Sequence, residues 1–171
     1  MPRKYPYYPA WDGEKASDLI LRVAYLMQRR YKGTKNLGTY VNRNMRGSDT
    51  LSVHATGYAL DLSFTSQKQA EQIWSYLLGT AIVDGKKVQL SKYLGICELH
   101  WYNKPGTTHG VGYRCSRGEG LKGCLTWTAT NNGGKGGNWL HLEVDKTMTP
   151  DEWEKRFRAT KPVKPPAPPA K

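Results

Sequence analysis

The sequence has no long hydrophobic run. No stretch approaches the roughly 18 apolar residues that a bilayer-spanning helix needs, so no membrane partner is expected. The first residues, Met-Pro-Arg-Lys-Tyr-Pro-Tyr-Tyr-Pro, carry charge but no apolar segment of the kind a secretory signal requires. Cysteine is scarce and odd in number: Cys97, Cys115 and Cys124 cannot all pair within one chain. None of them has the C-x-x-C spacing of a structural metal site. Cys97 lies in an apolar, strand-like run and reads as a buried thiol. Cys115 and Cys124 flank a Gly-rich loop and could bridge in an oxidising place; free thiols of a protein made in a reducing cytoplasm are the expectation. Acidic residues are few, 14 against 26 basic, which gives a net charge of +12. A cationic surface favours anionic partners: nucleic acid, anionic lipid, or a polymer bearing phosphates or carboxylates. There is no long Lys/Arg block beside the aromatics and no nucleic-acid motif, so no nucleic-acid partner is expected.

What is present suffices for one domain. The 171 residues are 38% apolar and include six Trp and eleven Tyr, too aromatic a composition for a disordered chain. Residues 1–11, with three Pro and four aromatics, read as an extended arm on the domain surface. Asp12 is a candidate N-cap, and the spacing of Ala16, Leu19, Ile20, Val23, Ala24, Met27 and Tyr31 predicts an amphipathic helix over 14–31 that Gly33 stops. Residues 33–50 read as a loop with a short strand near 39–42. Ser66-x-x-Gln69 is a capping box, and Ala70, Ile73, Trp74, Leu77 and Leu78 continue a second helix over 66–78. Asp84-Gly85 marks a turn, and residues 87–102 read as strand. Residues 103–137 read as loop, with a Gly-rich run that could serve as a hinge or flap; His109 in it reads as surface. Residues 138–145 alternate as a strand does. Thr149-Pro150-Asp151-Glu152 starts a third helix over 150–158, with Trp153 and Phe157 inward. Residues 161–171 hold five of the ten Pro and read as a linker or tail, giving a domain over 1–160.

The stretch Ser52-Val-His-Ala-Thr-Gly-Tyr-Ala-Leu-Asp61 carries the chemistry. His54 and Asp61 both suit a metal, since imidazole nitrogen and carboxylate oxygen bind zinc at about 2.0–2.2 Å. The pattern Ser-x-His-x-x-Gly-x-Ala-x-Asp resembles the signature of the zinc D-Ala-D-Ala carboxypeptidases and L-alanyl-D-glutamate endopeptidases, with hedgehog signalling domains as distant relatives in fold. Ser52, His54, Gly57, Ala59 and Asp61 all match it. The resemblance implies an α+β fold: an antiparallel sheet carrying a zinc site, flanked by about three helices. It implies His54 and Asp61 as the first two zinc ligands, and His141 on a late strand as the third. His100 is the rival for that third place. It further implies a substrate-holding Arg upstream of the signature, Arg43 or Arg46, and substrate contacts at Ser52 and Trp139.

The family's acid lies three residues before the third ligand, and Asn138 stands there. An amide cannot shuttle a proton, so the base is expected from Glu143, which shares the strand face of His141, or from Glu98 on a neighbouring strand. The resemblance implies a Zn2+-dependent peptidase of bacterial peptidoglycan, of the phage endolysin kind. Such an enzyme is a monomer made in the host cytoplasm that reaches the wall after release, with a wall-binding domain to follow. The alternative is a catalytically inactive, zinc-containing wall-binding domain, which Asn138 permits.

Overall fold

The computed structural model describes residues 1–7, 13–45, 47–129 and 137–161. Among these are four helices, α1 (Asp18–Arg30), α2 (Gln67–Leu78), α3 (Leu90–Tyr93) and α4 (Pro150–Ala159). Eight strands accompany them: β1 (Asn36–Gly38), β2 (Ala59–Ser63), β3 (Thr80–Val83), β4 (Lys86–Gln89), β5 (Ile96–Trp101), β6 (Val111–Arg114), β7 (Cys124–Thr126) and β8 (Trp139–Val144). Six of them form one antiparallel sheet in the order β1-β2-β8-β5-β6-β7, and β3 and β4 form a separate hairpin. The expected α+β class with an antiparallel sheet is what the chain adopts. No helix among the described residues is long and apolar enough to cross a membrane.

Strand alternation divides the main sheet into two faces. Leu60, Leu62, Leu140, Leu142, Leu99, Trp101 and Tyr113 are buried and join α1, α2 and α4 in the core, where Trp153 and Phe157 also sit. The other face carries Asp61, His141, His100, Glu143, Glu98 and Arg114. The last strand, β8, inserts between β2 and β5, so β2, β8, β5 and β6 present these groups side by side.

Several sequence boundaries shift. Helix α1 starts at Asp18, with Ser17 Oγ accepting from Ile20 N at 3.2 Å as the cap. The preceding turn is pinned instead to the motif, through Gly13 N to Ala55 O at 2.6 Å and Ser17 N to Gly57 O at 2.9 Å. Asp12 lies outside the described residues. The short strand falls at β1, not 39–42, where its neighbour β2 offers pairing. Residues 87–102 are not one strand: α3 interrupts them as a single turn that buries Leu90 and Leu94. The stretch expected as loop over 103–137 holds β6 and β7, whose alternation is too brief to stand out among glycines. The Asp84-Gly85 turn forms as expected, with φ of 48° and 73°, the left-handed pair that a two-residue hairpin favours. All three cysteines are free, and Cys97 neighbours Cys115 across β5–β6, where Cys115 N donates to Cys97 O at 2.9 Å.

Candidate metal centre

The motif folds for local reasons. Ser52 Oγ accepts from His54 N at 3.4 Å and caps a 3-10 helix, Val53–Thr56, that presents His54. Its hydroxyl oxygen thus serves as the cap of the turn. Gly57 ends the helix at φ 77°, and a Cβ there would lie 2.2 Å from Lys15 O, so only glycine fits. Ala59 opens β2 opposite Glu143, and two residues on Asp61 faces His141 across the same ladder. Ser52 and Gly57 therefore hold their places in the motif for hydrogen-bonding and steric reasons.

His54, Asp61 and His141 converge. Each offers one ligand atom, and the three atoms lie within 4.8 Å of one another. Asp61 Oδ1 is 2.9 Å from His141 Nδ1 and 3.3 Å from His54 Nε2. Tetrahedral bonds of about 2.1 Å place donor atoms about 3.4 Å apart, so these separations suit a small divalent ion. The two histidines are buried, while the Asp61 side chain is 29% exposed and marks the open side. Among the described residues no fourth His, Cys, Asp or Glu joins the group. The site therefore could bind a metal ion through three protein atoms.

His100 is not one of them. It lies opposite His141 on β5, ring centroids 5.3 Å apart, but its Nε2 faces Glu98 at 3.4 Å and its Nδ1 faces the Tyr102 hydroxyl at 3.4 Å. Glu143 stands behind His141: its Oε1 is 3.0 Å from Nε2, the ring nitrogen turned away from Asp61. Such a carboxylate fixes the imidazole's tautomer and orientation. Glu98 repeats the arrangement behind His100, and Arg114 Nε donates to its other oxygen. Both carboxylates expected as the base are thus buried behind an imidazole, which leaves neither facing the open side.

Charge follows this geometry. Burial opposes ionisation of Asp61, yet hydrogen bonds from His141 and His54 outweigh it and hold its carboxyl well below the usual range. Burial would also lower His141, but Asp61 and Glu143 on its two nitrogens push it up to about 10. Burial pushes His54 down, with His141 and the Arg43 guanidinium adding to that against the pull of Asp61. Burial, helped by the neighbouring Glu98, pushes Glu143 up to about 7. His100 is lowered by burial against the pull of Glu98.

The remaining candidates surround this group. Arg43 is exposed and close enough to act electrostatically on His54; its Nη1 donates to Asn44 O at 3.2 Å. Arg46 lies outside the described residues. Asn138 is exposed at the start of β8, where its Oδ1 accepts from Asn103 Nδ2 at 2.7 Å. Trp139 is half-buried, 5.8 Å from the Tyr102 ring, which in turn lies 5.7 Å from Trp127. Trp127 stands edge-on to His100 at 5.1 Å, over Gly112, where a Cβ would meet its ring at 2.6 Å. Tyr102 and Trp127 form an aromatic wall that no local sequence pattern announces. A lone glycine facing a histidine across two strands is its only trace.

No family model, curated protein or solved structure matches the chain.

Proposed function

We propose that the protein is a zinc-dependent peptidase of bacterial peptidoglycan, acting on stem-peptide amide bonds, with the hedgehog-like fold of the peptidases its motif resembles. The observation that carries this reading is the convergence of His54, Asp61 and His141 with one side left open. Three protein ligands and an open position are the arrangement of hydrolytic zinc sites, whereas structural sites are closed by four. Two imidazoles and a carboxylate are a donor set that catalytic zinc sites use. A zinc ion held there supplies Lewis acidity for a carbonyl and acidifies water.

The chain's own groups support the rest. Arg43, exposed and acting electrostatically on His54, is the group we assign to a substrate carboxylate, which wall peptides carry. The wall of Tyr102, Trp127 and Trp139 gives the substrate backbone an apolar flank. Asn138 cannot move a proton. His100 takes that part in our reading: it adjoins His141, and Glu98 fixes its ring. In the full reading the protein is a phage endolysin module, made in the host cytoplasm and acting on the wall after release. Its net charge of +12 favours an anionic wall.

A second reading, favoured by Asn138, is a zinc-containing wall-binding domain without catalysis. Mass spectrometry of peptidoglycan incubated with the zinc-loaded protein separates the two, with Asn138→Asp alongside. Defined peptides from the unaltered chain support the peptidase and name the bond. Peptides from Asn138→Asp alone support a disabled site. Wall affinity without peptides from either chain favours the binding domain.

A further inference from the structure

We propose that Tyr5, on the N-terminal arm, is a positioning residue of the metal centre, acting through Glu143 on His141. The inference rests on the reading of His54, Asp61 and His141 as metal ligands.

The chain of contacts is continuous. The Tyr5 hydroxyl donates to Glu143 Oε2 at 2.6 Å. The other oxygen of the same carboxylate, Oε1, is 3.0 Å from His141 Nε2. The opposite nitrogen of that ring, Nδ1, is 2.9 Å from Asp61 Oδ1. Glu143 is 1% exposed, so water cannot replace a lost partner. Its neighbour across β5–β8 is Glu98, a second buried carboxylate, so Glu143 sits among groups that make a fixed donor favourable. A phenol is suited to this: it is a neutral O–H donor that holds a carboxylate without competing for the metal.

The arm is built to deliver that hydroxyl. Arg3 N donates to Cys115 O at 3.0 Å, and the Arg3 guanidinium binds Glu119 and the carbonyl of Ile96. Tyr7 donates through its hydroxyl to Val144 O. Between these anchors, Tyr5 lies under the Arg114 guanidinium, 4.6 Å from its ring centroid, and Arg114 is also the partner of Glu98. Residue 5 thus reaches a residue 138 positions away in sequence, and the arm becomes part of the centre rather than a loose end.

Removing an outer partner of a metal-bound histidine typically lowers metal affinity by about 10- to 100-fold. The test uses the full chain and two probes, Zn2+ affinity by competition with a chromophoric chelator and the visible spectrum of the Co2+-loaded protein. Tyr5→Phe is expected to weaken Zn2+ binding by up to about 10-fold and to shift the Co2+ bands. Glu143→Gln is expected to do the same, and the double variant to do little more than either. Tyr7→Phe is the control: it removes a buried arm hydroxyl that bonds a backbone carbonyl, so it is expected to lower thermal stability while leaving the Co2+ bands in place. Unchanged affinity and bands in Tyr5→Phe overturn the inference. So do additive losses in the double variant, or equal band shifts in Tyr7→Phe. If Tyr5→Phe does not fold, Glu143→Gln with unaltered Co2+ bands overturns it equally. If the unaltered chain takes up neither ion, the metal reading itself falls and the inference with it, an outcome visible before any variant is made.

Discussion

Asp61 and His141 face each other across the β2–β8 ladder, Oδ1 2.9 Å from Nδ1, although 80 positions separate them in sequence. The pairing is a hydrogen bond between a carboxylate and an imidazole, and it is also the edge of the group that could hold a metal ion. The same two atoms cannot hold a proton and a metal together, which makes the site sensitive to both.

The first consequence is stoichiometry. One Zn2+ per chain is expected, and none in His54→Ala or His141→Ala, measured by elemental analysis after gel filtration. Saturating zinc at 100 times Kd stabilises the fold by about 2.7 kcal/mol. Chelation should therefore lower Tm by roughly 5–10 °C, since each kcal/mol moves the Tm of a domain this size by about 2–4 °C. A Tm indifferent to chelator would show that no metal is held.

Proton release is the second. His141 is pushed up to about 10 between Asp61 and Glu143, so at neutral pH its Nδ1 carries a proton that a metal must displace. Asp61 is held ionised and His54 is lowered, so neither adds a proton there. About one proton should be released per metal at pH 7.5, read by calorimetry in buffers of differing ionisation enthalpy. The sign is fixed: affinity weakens by about tenfold per unit as pH falls below 10, and more steeply once His54 protonates.

The third concerns the proton carrier. His100→Ala should lower kcat by about 100-fold or more, with metal content and KM little changed, because a general acid–base is worth about 100- to 10,000-fold. Glu98→Gln should cost less, since it only orients the ring. Steady-state kinetics on a purified wall peptide checks both, and full activity in His100→Ala would exclude the assignment.

Gly57 gives the fourth. At φ 77°, with Lys15 O 2.2 Å from where a Cβ would stand, Gly57→Ala should cost at least about 2 kcal/mol in a urea titration. It should also loosen metal binding, because the turn it ends is the one that presents His54.

Local features were legible in the sequence because they depend on neighbours a few residues away. The helices at 66–78 and 150–158 formed at their capping boxes, with Ser66 Oγ accepting from Gln69 N and Thr149 Oγ1 from Glu152 N, both at 3.2 Å. The strand alternation around Asp61 and His141 put both on the polar face; the motif named two of the three residues that converge, and the resemblance pointed to His141 with His100 as its rival. The α1 cap was less legible, because Ser17 won that place through backbone bonds to the motif turn, a tertiary matter. The single turn of α3 and the brief strands β6 and β7 carry too few residues for any periodicity to register.

The sequence by itself determined which residues could bind a metal and which faces of their strands they would occupy, since side-chain chemistry and a two-residue period are local properties. Only the tertiary structure decided what those residues do to one another. Strand register set Glu143 behind His141 and Glu98 behind His100, each carboxylate against an imidazole nitrogen. It kept His100 out of the metal group, and it brought Tyr5 against Glu143. These relations arise from the insertion of β8 between β2 and β5, a pairing between distant segments that no short-range pattern encodes.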